Sequence, residues 1–444
     1  MKTRKKNQKG SLCLTCLGLL LFLSCASTGS YKKVDEAVSR NDYSGSIELL
    51  EENKNSLYNS SRDVVLYNLD KGMLSHYAEL HEDSSRLLQD AEAAIEEAYT
   101  KSVTQELGSY LFNDNTRDYP GEDYEDLYTN VFNALNYYHR GMPESAMVEI
   151  RRMNEKLRFL STKYDLITSE LQQKAIEDKV DNIPSNPDAP TGFSDSALAR
   201  YLGMLFYRSS GLYDDARIDN EGIRIAFANA PAVYKYPPPS SIAGELNIPR
   251  GMARLNVISF TGLSPVKQSK VMRIPIPGGR WAKIALPEMV SRQSEVSRVE
   301  IVISNGERLN LELLEDIDAV ARETFKARRN IIYLKTVMRA MVKAISSSVM
   351  GAAADEVGGE VGLALAVLSI ATQVGAEVTE QADLRVSRYF PARAHVTGIN
   401  LEPGRYSLSV VYYGKSGRQI AADHYTDIDV RENALNLIES YHLK

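Results

Sequence analysis

Six histidines, three cysteines and a surplus of carboxylates are the residues of this 444-residue chain that could do chemistry. His76, His81, His139, His395, His424 and His442 show no HExxH or comparable ligand spacing. His76 and His81 are five apart, which does not stack them on a helix as a spacing of four would. The 58 Asp and Glu residues include no pair in a glycosidase-like context. The sequence contains no GxSxG, no P-loop and no GxGxxG that opens a helix. "DDARID" (Asp214, Asp215, Arg217, Asp219) lacks the Gly turn and closing Glu of a calcium loop and reads as a charged helix start. No catalytic residue, metal site or cofactor is expected, and the chain is not expected to be an enzyme. Arg151 and Arg152 in "VEIRRMNEKL" remain as candidates. Two adjacent guanidinium groups can grip a partner's carboxylate or phosphate, or form a solvated face on which Arg151 pairs with Glu155.

The cysteines point elsewhere. Cys13, Cys16 and Cys25 all lie within the first 25 residues, so the rest of the chain can form no disulfide and no Cys-ligated metal site. Lys2, Arg4, Lys5, Lys6 and Lys9 precede an apolar run from Leu12 to Leu23, the layout of a cleaved secretory leader over residues 1–24. A run of that length reaches about 18 Å as a helix, against a hydrocarbon thickness of roughly 30 Å, so it is too short to span. Phe22-Leu23-Ser24-Cys25 resembles the lipobox of bacterial lipoproteins, with Phe22 where Leu is usual. The resemblance implies that Cys25 is acylated with palmitate-type chains and becomes the first mature residue. Ala26, rather than Asp, implies sorting to the cell outer membrane, facing the periplasm. Two or three acyl chains hold firmly where one binds only marginally.

Removing residues 1–24 takes away five of the 52 basic residues and no acidic one, so the formal charge falls from −6 to about −11. No basic stripe stands out, so no nucleic-acid partner is expected. With 43% hydrophobic and 25% charged residues, the chain has the composition of a folded protein.

These residues need elements to carry them. The expected fold is α+β and multidomain: an N-terminal all-α array of tetratricopeptide-like helical hairpins over residues 25–233, a Pro-rich linker over 234–251, and a C-terminal β-sandwich-like domain with a helical insertion. The clearest hairpin is "YEDLYTNVFNALNYYHRGMPESAMVEIRRMNEKL", Tyr124 to Leu157. Val131, Ala134, Leu135 and Tyr138 share one helix face, Gly141 breaks the chain, and Ala146, Ile150 and Met153 face them. Thirty-four residues of helix–turn–helix with small residues at the contact is the logic of that repeat. Tyr207 precedes Ala216 by nine residues, as Tyr137 precedes Ala146, and weaker echoes at Ser46 and Leu50 and at Ser84, Leu88 and Ala91 bring the count to about four. A generic helical bundle is the alternative. Tyr137 and Tyr207 take the wedge position, which leaves Tyr67 and Tyr138 as the expected partner-binding tyrosines, since tyrosine gives large contact area at small entropic cost.

Pro237, Pro238 and Pro239 end the helices. "ARLNVISF" and "RVEIVIS–NG–RLNLELLED" then read as strands, the latter a hairpin across Asn305-Gly306. "AHVTGINL", "GRYSLSVVYYG" and "RQIAADHYTDIDV" follow near the C-terminus. The β-rich domain is thus expected in two parts, 252–315 and 385–444, around an insertion at 316–384. The longest uncharged run there, Val361 to Ala376, is marginal for spanning and is expected to be buried.

The stretches "LDKGMLSHYAELHEDSSRLLQDAEAAIE", "LGSYLFNDNTRDYPGEDYEDLYTNVFNALNYYHRGMPESAMVEIRRMNEKL", "GLYDDARID" and "EQADLRVSRYFPARAHVTGINLEPGRYSLSV" resemble a family of bacterial lipoproteins with a tetratricopeptide-like N-terminal half. A Trp in that family's pattern near Val386-Ser387 is absent here. The family offers no catalytic residues to carry over. Its members are often encoded near lipoproteins similar to penicillin-binding protein activators, which implies periplasmic or outer-membrane partners of that kind. The expected function is a non-enzymatic protein-binding scaffold in cell-envelope assembly. The alternatives are an envelope polymer- or lipid-binding module acting through the β-domain and, third, a hydrolase, for which several histidines and carboxylates would have to converge.

Overall fold

The computed structural model describes residues 23–106, 117–177, 193–276, 280–349 and 382–444. The leader through Phe22 and the side chain of Cys25 lie outside the described residues, as does the apolar run of the insertion. Mixed α+β structure is observed, with helices first and a mostly antiparallel sheet after them.

The helices come in pairs. α1 (Leu23–Val38) packs with α2 (Tyr43–Glu52), followed by the single turn α3 (Lys54–Leu57). α4 (Val64–Tyr77) packs with α5 (His81–Glu106), α6 (Asp123–His139) with α7 (Pro143–Glu177), and α8 (Ala197–Ser209) with α9 (Tyr213–Asn229). Local chemistry fixes the ends. Asp42 caps α2 by accepting from the Gly45 amide at 2.9 Å, and Ser196 caps α8 by accepting from Ala199 at 3.1 Å. Gly141 and Gly211 turn the last two pairs with φ of 70° and 75°, which disfavours any residue with a Cβ. Ala134 and Ala146 are fully buried between α6 and α7, where a larger side chain would force them apart.

Among the described residues, nine strands follow. β1 (Ala253–Leu263), β4 (Val296–Ile303), β5 (Arg308–Asp316), β6 (Pro391–Leu401), β7 (Gly404–Gly414), β8 (Gln419–Val430) and β9 (Asn436–His442) form one sheet in the order β8-β7-β4-β5-β6-β1-β9. All neighbours are antiparallel except β1 and β9, which run parallel from Leu255↔Asn436 to Thr261↔His442. These seven strands are one continuous hydrogen-bonded sheet rather than the two facing sheets of the expected sandwich, because β5 pairs with β4 on one side and β6 on the other. A register shift between Leu313 and Glu315 lets β5 bend, as bulges do. The sheet closes around an inner core that includes Leu255, Val257, Val299, Ile301, Val410 and Tyr412. Its two ends meet where the Tyr425 hydroxyl donates to the Glu439 carbonyl at 2.7 Å.

β1 is buried on both faces. Leu255 and Val257 point into that inner core, while the alternate Ile258 and Phe260 join the helices. One hydrophobic core therefore runs from Val34 and Leu69 through Phe132 and Leu202 to Phe260, Val396 and Leu437. The proline-rich stretch after α9 is packed rather than free: Tyr234, Ile242 and Glu245 are buried in it. β2 (Val266–Ile276) and β3 (Arg280–Val290) make a separate ribbon that sequence reading passed over. α10 (Ile317–Val349) leaves β5 directly. Its first half joins the main core through Val320 and Phe325, and its second half packs Tyr333, Val337 and Met338 on Ile274, Ile284 and Leu286 of the ribbon. Among the described residues, no helix is long and apolar enough to cross a membrane.

Candidate functional site

The seam between helices and sheet gathers most of the buried polar chemistry. Its densest part is built on His76 at the end of α4, His81 at the start of α5, Asn136 and His139 at the end of α6, and Glu439 and Tyr441 on β9. Glu439 lies between two imidazoles, with Oε1 3.0 Å from His76 Nε2 and Oε2 2.7 Å from His139 Nε2. Asn136 donates Nδ2 to Ser84 Oγ at 2.9 Å, which turns its Oδ1 toward His76 Nδ1 at 2.7 Å and His81 Nδ1 at 3.2 Å. Both nitrogens of His76 thus face oxygens, Nδ1 that of Asn136 and Nε2 that of Glu439. The Tyr441 hydroxyl lies 3.0 Å from His76 Nε2, and the rings of His81 and His139 stack 4.4 Å apart.

Burial alone would raise the Glu439 carboxyl. The charge of His76 and the hydrogen bonds from His139 and His76 outweigh it and hold the group well below the usual carboxylate range. Burial opposes protonation of His139, but its hydrogen bond to Glu439 raises it above the ordinary histidine value. His81 is lowered to about 4, by burial first and then by the charges of His76 and His139. His76 and Glu439 have essentially no exposed side-chain surface, whereas 26% of the His139 side chain is exposed. The arrangement can exchange protons with solvent at its His139 edge and can clamp β9 to two helices. Among the described residues, no three His, Cys, Asp or Glu side chains are placed to hold a metal ion.

A second part of the seam is an extended segment, residues 382–390, laid across the helices. The Ser387 hydroxyl and the Arg388 amide both donate to Asp70 Oδ1 at 2.8 Å, and the Tyr58 hydroxyl donates to Asp70 Oδ2 at 2.8 Å. The Ser387 amide donates to Glu125 Oε1 at 2.5 Å, Arg388 reaches Asp35 at 2.6 Å, and Arg385 reaches Asp63 at 2.8 Å. Burial raises Asp70 to about 6, against the pull of its donors. Burial and the neighbouring Glu122 raise Glu125 to about 7. Farther along, Glu315 accepts from the hydroxyls of Tyr128, Ser196 and Tyr234 and from the Leu198 amide at the start of α8. Glu245 is held between Arg208 and Arg254 with no exposed surface. Every one of these carboxylates is answered within the chain.

The end of α6 and the part of α4 around Asp70 are therefore occupied by the protein's own sheet and extended segment. Tyr138 corrects the expectation of a surface residue: its hydroxyl lies 3.3 Å from the carbonyls of Leu435 and Leu437 and accepts from the Leu437 amide at 3.1 Å. Tyr67 is partly buried, donating to Glu51 at 2.5 Å with the Lys54 ammonium 3.6 Å from its ring centroid. Arg151 is exposed and donates to the Tyr207 hydroxyl at 3.3 Å, rather than pairing as expected with Glu155. Arg152 lies 3.2 Å from Glu92 and 3.7 Å from Glu149. Elsewhere on the helices, α7 exposes Val148 and Phe159, and α9 exposes Tyr213, Ile218 and Ile225.

Sequence reading missed the meeting of the histidines with Glu439, because 363 residues separate His76 from it and no spacing rule reaches that far. Compared with known proteins, the chain matches no family model, no curated protein and no solved structure.

Proposed function

We propose that this protein is a non-enzymatic scaffold of the cell envelope, anchored by lipid at Cys25 to the outer membrane and facing the periplasm. In this reading the helix pairs are a tetratricopeptide-like array whose inner surface is committed to the protein's own β-rich half. Partners, among them lipoproteins similar to penicillin-binding protein activators, then dock on the outer helices. The observation that carries the reading is the exposure of large apolar side chains on both α9 and α7, with Tyr213 62% exposed and Ile218 57% exposed. Aromatic side chains, methionine and arginine are the residue types enriched in protein-binding surfaces. The histidine cluster serves here as a fastening, since its carboxylate is engaged on both oxygens.

The test combines mild cross-linking with mass spectrometry on wild type, Ile218→Glu and Phe159→Glu. Stoichiometric protein partners captured by the wild type and lost from a folded variant are expected; equal capture by all three would end the outer-helix reading. Cys25→Ala is expected to abolish labelling with palmitate, and label at wild-type level would remove the anchor.

A second reading, a lipid- or polymer-binding module acting through the β-rich half, is favoured by one observation. The β2–β3 ribbon carries five basic residues from Val266 to Pro287 and no acidic one, in a chain of net charge −6.

A further inference from the structure

We infer that the outward face of the β2–β3 ribbon is a contact surface for an anionic lipid bilayer. The inference rests on the second reading above and is independent of the anchor at Cys25. The ribbon register sets Arg273 directly opposite Lys283, between the pairs Val271↔Ala285 and Pro275↔Trp281. Like charges directly opposite each other destabilise a strand pair, so the arrangement costs the free protein stability. Neither cation has a carboxylate partner among the described residues, whereas Lys270 pairs with Glu288 at 3.2 Å and the buried Lys267 pairs with Glu122.

The two cations are flanked by apolar groups that are largely exposed. Trp281 is 66% exposed and Val271 is 54% exposed. The opposite face of the ribbon is already used, with Ile274, Ile284 and Leu286 seated on α10, so the outward face is not a misplaced core. Tryptophan favours the boundary between headgroups and acyl chains, and lysine and arginine are drawn to anionic headgroups around it. A soluble polyanion would satisfy Arg273 and Lys283 but would leave Trp281 and Val271 in water. A bilayer surface satisfies both sets, which is why it is the occupant assigned.

Trp281 is the only tryptophan in the chain, so its emission reports on this face alone. The experiment titrates the full chain with vesicles of phosphatidylethanolamine and phosphatidylglycerol, and separately of phosphatidylcholine, following emission, iodide quenching and co-sedimentation. The expected result is a blue shift and protection from iodide with the anionic vesicles only, weakened by salt. Arg273→Glu/Lys283→Glu should reduce the partition coefficient about tenfold or more, each cation near the surface being worth roughly fivefold. Arg273→Gln/Lys283→Gln, with an intermediate loss, serves if the doubly acidic variant does not fold. Co-sedimentation without a change in emission would overturn the ribbon assignment while leaving lipid binding by another surface. Absence of both would overturn the second reading as well. An equal shift with phosphatidylcholine, or a shift with polyphosphate and none with vesicles, would also overturn the assignment.

Discussion

Ser387 donates its hydroxyl to Asp70 Oδ1 at 2.8 Å, joining an extended segment late in the chain to a helix near its start. With the Arg388 amide and the Tyr58 hydroxyl, the carboxylate collects three donors from two separate parts of the molecule. The helices therefore hold their own chain in the way a helical array holds an extended ligand.

Asp70→Ala should orphan all three donors. At about 1 kcal/mol or more for each buried donor left unmade, the expected loss of stability is about 3 kcal/mol. Amide exchange at Ser387 and Arg388 should accelerate with it. An unchanged unfolding midpoint with unchanged protection would mean that packing alone seats the segment.

Glu439→Gln should leave the buried His76 and the partly exposed His139 beside a neutral amide, at a cost of about 3 kcal/mol, the low end for a broken buried pair because solvent reaches His139. The Glu439 carboxyl titrates below its ordinary value when folded, so its contribution is present above that ordinary value and is lost as the pH falls through the folded one. His139 titrates above its ordinary value, so its share is present below about pH 6.5 and is lost as the pH rises through the raised value. The wild-type advantage over Glu439→Gln should be largest between about pH 4.5 and 6.5 and smaller at pH 9. His81, lowered to about 4, adds stability to both proteins as the pH climbs from there to its ordinary value. Urea unfolding at pH 5.5 and 9 checks this; a difference independent of pH would show that Glu439 is held by packing rather than by charge.

Tyr138→Ala is expected to lower the melting temperature at least as much as Tyr137→Ala. Tyr138 loses its contacts to β9 as well as ring packing, for a cost of about 3 kcal/mol. Tyr137 is also packed against the core, and its hydroxyl accepts from Gln89 at 2.6 Å. Thermal unfolding of the two variants side by side decides it. A Tyr138→Ala protein as stable as wild type would return the residue to the surface.

What could be read in advance followed local rules. Apolar periodicity around Gly141 and Gly211 marked two helix pairs, and Asn305-Gly306 marked the turn between β4 and β5, where Gly306 takes a φ of 93°. The ribbon was passed over although Pro277-Gly278-Gly279 separates two runs of strand length, because Pro275 and Pro287 weaken the strand signal inside them. β9 escaped because its seven residues, Asn436 to His442, mix polar and apolar types that only the parallel partner β1 explains. Tyr138 was misplaced for a related reason. Helical spacing gives the face a residue lies on, but not which distant strand will cover that face.

The parallel pairing of β1 with β9 also dictates an order of assembly. Residues 264–435 must be looped out before those two strands can meet, and closing such a loop costs chain entropy before any contact rewards it. Each helix pair is made of sequence neighbours and can form at once. Until that loop closes, Phe132, Tyr128 and Leu202 lack the cover that Phe260 and β9 give them in the folded chain. Apolar surface left bare in this way is what makes incompletely folded chains prone to aggregation.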